Sequence, residues 1–184
     1  MLTTILDQTY KIKDGSSILL REARPADAAS MLELAATIFE NSAHTLTSPE
    51  EFTLTEADEL KVVEEHSNNP GYIYILAEQD GKLVGGLNFS NGKCRRNAHT
   101  GEFAMGVHPD FQNQGVGTLL LECLIDWAEK NSLIRKVSLG VFITNSHAIH
   151  LYKNLGFMEE GRKRKEIKLD DGEFVDLVLM CKFV

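Results

Sequence analysis

The chain has 184 residues, 43% of them hydrophobic and 25% charged, which is typical of a globular protein with one domain, here predicted to span residues 1–184. Its formal net charge of −8 excludes general nucleic-acid binding, which requires a basic face, and suits a cationic, amine-bearing partner better. No stretch approaches the roughly 20 apolar residues of a membrane span, and the opening residues lack a signal-peptide pattern, so we predict a cytoplasmic protein without membrane contact. Cys94, Cys123 and Cys181 are too widely spaced to predict a disulfide framework or a metal site.

The first half of the chain is predicted to combine a strand, two helices and a hairpin. Residues 18–21 form a short apolar strand, and the apolar spacing over residues 28–38 predicts a helix. A second helix is predicted near residues 56–66, although its apolar positions are sparse. Residues 72–77 and 83–89 then alternate as two strands joined by a tight turn, which indicates an antiparallel pair.

The second half is predicted to contain a strand, helix and strand followed by a shorter helix and a hairpin. A strand over residues 99–107 precedes an amphipathic helix over 115–130 and another strand over 136–142. This order usually forms a right-handed parallel crossover. The second helix runs over residues 146–154 and is capped by a glycine, and the chain closes with a hairpin over 157–183.

The sequence HPDFQNQGVGT, at the start of the helix over residues 115–130, has the properties of an anion-binding loop. The first turn of a helix carries free backbone N–H groups and the positive end of the helix dipole. Gly115 and Gly117 would let a phosphate approach these groups, and the hydroxyl of Thr118 could add a donor. Alternatively, the glycines only make a tight turn. Neither GxxxxGK[ST] nor GxGxxG occurs, which excludes the common nucleoside-triphosphate and dinucleotide loops.

Two segments resemble motifs of the GCN5-related N-acetyltransferase (GNAT) superfamily. Val107-His108-Pro109 followed by QNQGVG resembles the family's acetyl-coenzyme A loop, [RQ]xxGx[GA] after a V-x-P strand end. The segment NSHAIHLY, continuing to LGF over residues 145–157, is similar to the NxxAIxLYxxxGF helix. The order of elements also agrees, so the resemblance covers nearly the whole chain.

The resemblance implies an α/β (α+β) GNAT fold with a mixed, mostly antiparallel sheet of about seven strands flanked by about four helices. The fourth and fifth strands, near residues 101–107 and 137–142, are expected to splay apart and to hold the pantetheine arm of acetyl-coenzyme A (acetyl-CoA). Asn145 and Asn154 are expected to contact this cofactor, although Asn145 would also suit a helix N-cap. The remaining expected cofactor contacts are the backbone of Met105, Gly106 and Val107 for the arm, and Gln112, Asn113, Gln114, Gly115, Val116, Gly117 and Thr118 for the pyrophosphate.

The activity that the resemblance implies is acetyl transfer from acetyl-CoA to a primary amine of a small molecule, amino acid or peptide, by direct attack in a ternary complex. Tyr152 is the candidate acid that protonates the leaving thiolate. Because Ala148, Leu151 and Leu155 share its helical face, a core role for Tyr152 is the alternative. A non-catalytic acetyl-CoA sensor on the same fold is the alternative function, and retention of Tyr152 favours the enzyme.

The candidate general base is Glu102, whose pKa burial could raise toward neutrality. A solvent-facing Glu102 is equally consistent with the alternating strand, and His99, His108 and Glu78 are weaker candidates.

Residues 50–65, expected to form the acceptor wall, are strongly acidic, which indicates either a solvated helix face or a funnel for a cationic amine. The basic pairs and runs at residues 95–96 and 162–165 could contact the cofactor's 3′-phosphate or only solvate turns. A homodimer is compatible with the resemblance, and the acceptor's identity does not follow from the sequence.

Overall fold

One mixed sheet organises the part of the chain that the structure describes. The computed structural model describes residue 5 and residues 7–184. The prediction for the opening segment therefore lies partly outside the described residues. In chain order, the strands are β1 (Gln8–Lys11), β2 (Ser17–Glu22), β3 (Tyr72–Gln79), β4 (Lys82–Asn91), β5 (Thr100–Val107), β6 (Lys136–Phe142), β7 (Met158–Lys168) and β8 (Phe174–Phe183).

Four helices accompany the sheet, as the resemblance implied. They are α1 (Ala28–Asn41), α2 (Glu56–Asn68), α3 (Val116–Lys130) and α4 (Ser146–Asn154). Polar caps fix where two of them begin: the Thr55 hydroxyl accepts from the Asp58 N–H at the start of α2, and Asn145 does the same for Ala148 at α4. Gly156, with φ +85°, follows the end of α4 in the left-handed conformation predicted for its cap.

The strand order is β1-β2-β3-β4-β5-β6-β8-β7, and of these neighbours only β5 and β6 run parallel. The sheet thus has eight strands rather than about seven. The additional strand, β1, pairs with β2 at one edge of the sheet. Its four residues contain one large apolar side chain, Tyr10, which is too little for a recognisable alternation.

The two faces of the sheet carry different helices. Leu120, Leu124 and Trp127 of α3 are fully buried against one face, where the Trp127 ring meets Phe89 of β4 at a centroid distance of 5.6 Å. Truncating such a buried leucine to alanine typically costs about 2–5 kcal/mol. On the opposite face, Met31 of α1 and Val63 of α2 pack with Leu76 of β3 in a second cluster. The sheet therefore lies between an α3/α4 layer and an α1/α2 layer.

The parallel strands β5 and β6 separate after a short paired stretch. Pairing runs only from Thr100↔Lys136 to Glu102↔Ser138, after which β6 continues beside β8 alone. The predicted splay of these two strands is confirmed. It leaves a gap in the middle of the sheet that opens toward the loop before α3. Among the described residues, no helix is long and apolar enough to span a membrane.

Candidate active site

The unpaired edge of β5 presents backbone groups to the gap. The N–H of His108 donates to Val84 O and the N–H of Gly92 donates to Thr100 O, so even-numbered residues of β5 face β4 in the antiparallel ladder. Odd-numbered residues must then direct their N–H and C=O groups away from β4, toward β6. Beyond the paired stretch, Met105 and Val107 have no strand partner on that side. The gap is therefore lined by a free strand edge.

The three residues predicted to contact the pantetheine arm differ in whether their backbone groups are free and face the gap. Met105 offers both backbone groups to the gap, whereas the Val107 carbonyl already accepts a hydrogen bond from Gln112 Nε2 at 3.2 Å. Gly106 faces β4 with its backbone, and a Cβ placed on it would lie 2.6 Å from Ile38 Cδ1 of α1. A side chain at this position would displace the end of Ile38, and the backbone of Gly106 does not face the gap.

The loop from residue 112 to 118 forms a cradle of free N–H groups. Asn113 (φ +61°) and Gly115 (φ +102°) both adopt left-handed conformations, and Gly115 caps α3. The backbone N–H groups of residues 115–118 have no acceptor among the described residues. A Cβ on Gly115 would meet nothing within 4 Å, so the cradle is open on that side. Such a concave arrangement at a helix N-terminus suits an anion.

The polar side chains of this loop hold it in shape. Gln112 and Asn113 are exposed, while Gln114 Nε2 donates to Asp110 O at 2.7 Å and its buried Oε1 has no partner among the described residues. Lys13, in the turn between β1 and β2, was not predicted here. Its Nζ donates to Asn113 O at 3.1 Å and its N–H to Gln114 O at 3.4 Å. A lysine about 100 residues away carries no local signal for such a contact.

Tyr152 is both a core residue and part of the cleft wall. Its side chain is 8% exposed, and its ring lies 5.8 Å from Phe103 and 5.9 Å from Phe157 by centroid distance. Burial raises its pKa to about 12. Its hydroxyl has no hydrogen-bond partner among the described residues, and the residue lines the cleft beside Phe103. The core role is thus observed, and the hydroxyl lies where the predicted catalytic role would require it.

Glu102 lies in the cleft but is not desolvated. It is the last residue of β5 that pairs with β6, so it marks the closed end of the gap. Its side chain is exposed, which agrees with the second of the two alternatives, a solvent-facing Glu102. The alternation of the strand explains this, because buried Gly101 and Phe103 face α3 and α4 while Glu102 faces the more open side.

The other candidate bases have structural partners. Glu78 accepts from Arg21 Nε at 2.8 Å, in a buried cluster that also contains Asp27. His108 Nδ1 accepts from the Asp110 N–H at 3.3 Å and caps a short turn. His99 is exposed, and its carbonyl accepts from the backbone of residues 135 and 136. None of the three lines the cleft.

Asn145 and Asn154 have different positions. Asn145 lines the cleft, with its Oδ1 accepting from the Ala148 N–H at 3.1 Å. Its Nδ2 has no acceptor among the described residues and is free to donate to a ligand. Asn154 is the exposed last residue of α4 and does not line the cleft.

A cleft of about 800 Å³ joins the gap to the α1 side of the sheet. No residue from 50 to 65 lines it. Most carboxylates of that run face solvent, as the alternative of a solvated helix face implied, and Glu59 is turned inward with 7% exposure. The cleft is lined on this side by α1, the loop over residues 44–47, and β7, from which Lys163 and Glu166 enter it.

No contact between the basic segments and the cradle is present among the described residues, and one of these basic residues lines the cleft. Arg95 and Arg96 precede β5, whose length of eight residues places them about 26 Å from the loop that follows it. Of the run at residues 162–165, Lys163 lines the cleft. No group of histidine, cysteine and acidic residues within the described chain is arranged to hold a metal ion.

Comparison with known proteins relates this arrangement to acetyl transfer. The model of the Acetyltransferase (GNAT) family matches residues 29–157. L-amino acid N-acetyltransferase AaaT of Escherichia coli (strain K12) is 31% identical over 116 residues, which cover 63% of this chain and 71% of the relative. [Ribosomal protein bS18]-alanine N-acetyltransferase of the same strain is 41% identical over 79 residues, covering 43% of this chain and only 52% of the relative.

A solved structure extends the likeness to almost the whole fold. The acetyltransferase of GNAT family from Streptococcus pneumoniae superimposes with a TM-score of 0.88 at 29% sequence identity. The match covers 91% of this chain and 99% of the other.

Proposed function

The chain belongs to the acetyltransferase (GNAT) family, and from this premise we propose that it transfers the acetyl group of acetyl-CoA to an α-amino group. The observation that carries the proposal is the gap between β5 and β6: its free strand edge and Tyr152 line one cleft, and the cradle of unpaired N–H groups follows directly after β5, with Gly117 next to Met105. A free strand edge can pair with amide groups, and the cradle can bind phosphate. Acetyl-CoA contains both in one linear molecule.

The described residues fit this cofactor in three places. Backbone groups of Met105 would pair with the pantetheine arm, with the Val107 N–H beside them. The N–H groups of residues 115–118 would hold the pyrophosphate, and Asn145 Nδ2 would donate to the arm from the opposite wall. Acetyl-CoA supplies the thioester that is the acetyl donor. All other steps depend on side chains of this chain and on the acceptor.

An α-amine is the acceptor that these groups can serve best. The two relatives are named for acetylating L-amino acids and an alanine of a ribosomal protein, and the only nitrogen of an alanine residue is its α-nitrogen. The α-amine of a peptide, with a pKa of about 7.7–8.0, is roughly one-tenth neutral at pH 7, whereas only about 1 in 2500 lysine ε-amines is. The α-amine of a free amino acid is more basic than that of a peptide because of its neighbouring carboxylate, but less basic than a lysine ε-amine. Either α-amine therefore loses its proton more easily than lysine does.

Glu102 is positioned to receive the proton that the amine loses. Its carboxylate lies at the closed end of the gap, on the side of the sheet that faces α1. Since it is exposed, we infer that it accepts the proton through solvent rather than as a desolvated base.

Tyr152 serves the leaving sulfur from the other face of the gap. With a pKa of about 12 its hydroxyl keeps its proton at neutral pH, and it is a weaker acid than an ordinary thiol with a pKa of about 8.5. Complete proton transfer from Tyr152 Oη is thus unfavourable. We infer that it donates a hydrogen bond that stabilises the negative charge developing on sulfur.

Two monoacetylated lysines test the choice of nitrogen. Nε-acetyl-lysine offers only an α-amine and Nα-acetyl-lysine only an ε-amine, while their size and composition are the same. We expect free-thiol release from acetyl-CoA with the former and little above background with the latter. Thiol release with Nα-acetyl-lysine alone would overturn the proposal. Acetyl-CoA binding without thiol release for any amine would identify a non-catalytic binding module.

A further inference from the structure

The acceptor side of the cleft is mainly apolar. Five side chains of α1 face it, and β3 adds two more below them: Met31, Leu34, Ala35, Ile38, Phe39, Tyr74 and Leu76. The floor contains Gly86 and Gly106, which pair directly across β4 and β5. A group bound here would bury apolar surface, each methylene of which contributes about 0.8 kcal/mol.

Charged groups reach this cleft from only two places. Glu102 enters from β5, and Lys163 and Glu166 enter from β7. Among the described residues that line the cleft, Lys163 is the one lysine or arginine. Its Nζ lies 3.1 Å from Glu166 Oε1, and both side chains are about half exposed.

A bulge in β7 explains why both members of this pair face the cleft. Residues three positions apart in a regular strand point to opposite faces. Between Lys163 and Ile167 the register with β8 shifts, and Lys165 adopts φ +53°. The Lys165 N–H donates to Asp176 Oδ1 at 2.9 Å, which holds the bulge in place. Bulges of this kind redirect side chains, often next to active sites.

Lys163 lies at the same level across the sheet as Phe142, the last residue of β6. It pairs with Leu177 of β8, which pairs with Phe142 of β6. All three residues line the cleft, so the lysine projects over an apolar surface two strands away from β6. Its stem can lie along that surface while its ammonium meets an anion in the cleft.

We propose, on the basis of the function proposed above, that the acceptor is a free amino acid with an apolar side chain, whose carboxylate binds Lys163 and whose side chain packs against α1. The amine then lies toward Glu102 and the gap. Glu166 pairs with the same ammonium when the acceptor is absent, and the acceptor's carboxylate must compete with it. A peptide N-terminus has an amide where the free amino acid has its carboxylate, so it would not use this contact.

L-leucine and L-leucinamide separate the carboxylate from the rest of the acceptor. Lys163→Met should raise KM for leucine about five- to tenfold, because one charge-assisted contact is lost, and should change KM for leucinamide less than about twofold. Lys163→Gln provides a second, polar replacement. Lys168→Met, which removes the same charge from an exposed position on β7 outside the cleft, should leave both acceptors unchanged.

Glu166→Gln should have the opposite effect to Lys163→Met. Without its carboxylate partner, Lys163 is free for the substrate, so KM for leucine should fall while KM for leucinamide stays the same. Equal changes for the two acceptors in both variants would contradict a role in carboxylate binding.

The apolar wall is tested by the size and polarity of the acceptor. We expect kcat/KM for leucine, methionine and phenylalanine to exceed that for glycine and aspartate by at least about tenfold. Gly86→Ala should selectively disfavour the large side chains, since its Cβ would lie 3.5 Å from Tyr74 Cε2 and 3.6 Å from Leu76 Cδ2, distances at which the fold is not disturbed.

The outcomes distinguish this inference from the proposed function. If neither amino acids nor their amides are acetylated, the function itself is wrong. If amides and peptides are acetylated as well as free amino acids, or polar acceptors as well as apolar ones, α-amine acetylation stands and the free apolar amino acid is rejected.

Discussion

Tyr152 combines an observed role in packing with the catalytic role proposed above. Its ring contacts Phe103 and Phe157, so the same burial that raises its pKa also fixes its position. A rigid donor that keeps its proton needs little reorganisation when charge develops next to it.

Tyr152→Phe should lower kcat by about 10²-fold or more with little effect on acetyl-CoA affinity, because the ring and its contacts remain and only the hydroxyl is lost. Steady-state kinetics and calorimetry with acetyl-CoA measure the two effects. Tyr72→Phe is the matched control, since Tyr72 is equally buried at 8% exposure but does not line the cleft. A variant that loses thermal stability and activity together would reduce Tyr152 to a core residue.

Glu59 is a residue whose environment opposes its charge. It lies on α2 near Tyr74, and burial raises the pKa of its carboxyl group. The charged carboxylate of Glu59 is therefore less favourable in the folded chain than in the unfolded chain. Below the ordinary glutamate pKa of about 4.3 both states are protonated and there is no penalty, and as pH rises through that value and the raised folded pKa the penalty develops fully.

Glu59→Gln should accordingly be more stable than the parent chain at pH 7 to 8, and the difference should disappear near pH 4. Denaturant unfolding followed by the fluorescence of Trp127, the only tryptophan, measures this at low protein concentration. Glu64→Gln removes an exposed carboxylate from the same helix and should show no such trend. A constant difference at all pH values would mean that packing, and not the charge, is responsible.

At the scale of elements, the start of α3 is the place where we propose that the cofactor's pyrophosphate binds. A Cβ on Gly117 would lie 3.5 Å from Met105 Cε and 3.6 Å from Leu151 Cδ2, which are ordinary contact distances. Alanine therefore fits, but the branched side chain of valine would extend into the space between β5 and α4, beside the cradle.

We expect Gly117→Ala to keep its thermal stability and to bind acetyl-CoA slightly more weakly, and Gly117→Val to weaken binding by at least about tenfold, or 1.4 kcal/mol. Calorimetry gives the affinities and thermal unfolding shows whether each variant is folded. Affinity equal to that of the parent chain in a folded Gly117→Val variant would exclude this side of the loop as the route of the cofactor.

The elements that local signals define were predicted well. Strand β6 and helix α4 agree with the prediction at both ends, because an apolar run, an N-cap at Asn145 and a glycine at 156 bound them within the sequence. The prediction missed β1, whose pairing with β2 comes from tertiary contact rather than from its own pattern.

The lining of the cleft on the α1 and β7 side could not be predicted from the sequence, for a physical reason. The charged run at residues 162–165 is typical of a solvated turn, and only the bulge at Lys165 turns Lys163 and Glu166 toward the cleft. Which of α1 and α2 faces the cleft depends equally on long-range packing. The cofactor side, by contrast, depends on the start of one helix and on the strand before it, which lie together in the sequence.

At the scale of the whole molecule, the separation of β5 and β6 opens a gap that side chains from both faces of the sheet can reach. The α3/α4 layer carries the cradle of free N–H groups and Tyr152, and the α1/α2 layer carries apolar side chains that line the cleft. Side chains of both layers therefore line the same cleft. We propose that the acetyl group is transferred across this gap.

The most direct test is to measure free-thiol release from acetyl-CoA in the presence of single α-amine acceptors, with the acetylated product identified by mass spectrometry. We expect thiol release that depends on the acceptor and matches the amount of α-N-acetylated product one to one. Acetyl-CoA binding with no acceptor-dependent thiol release across apolar, polar and peptide α-amines would contradict it.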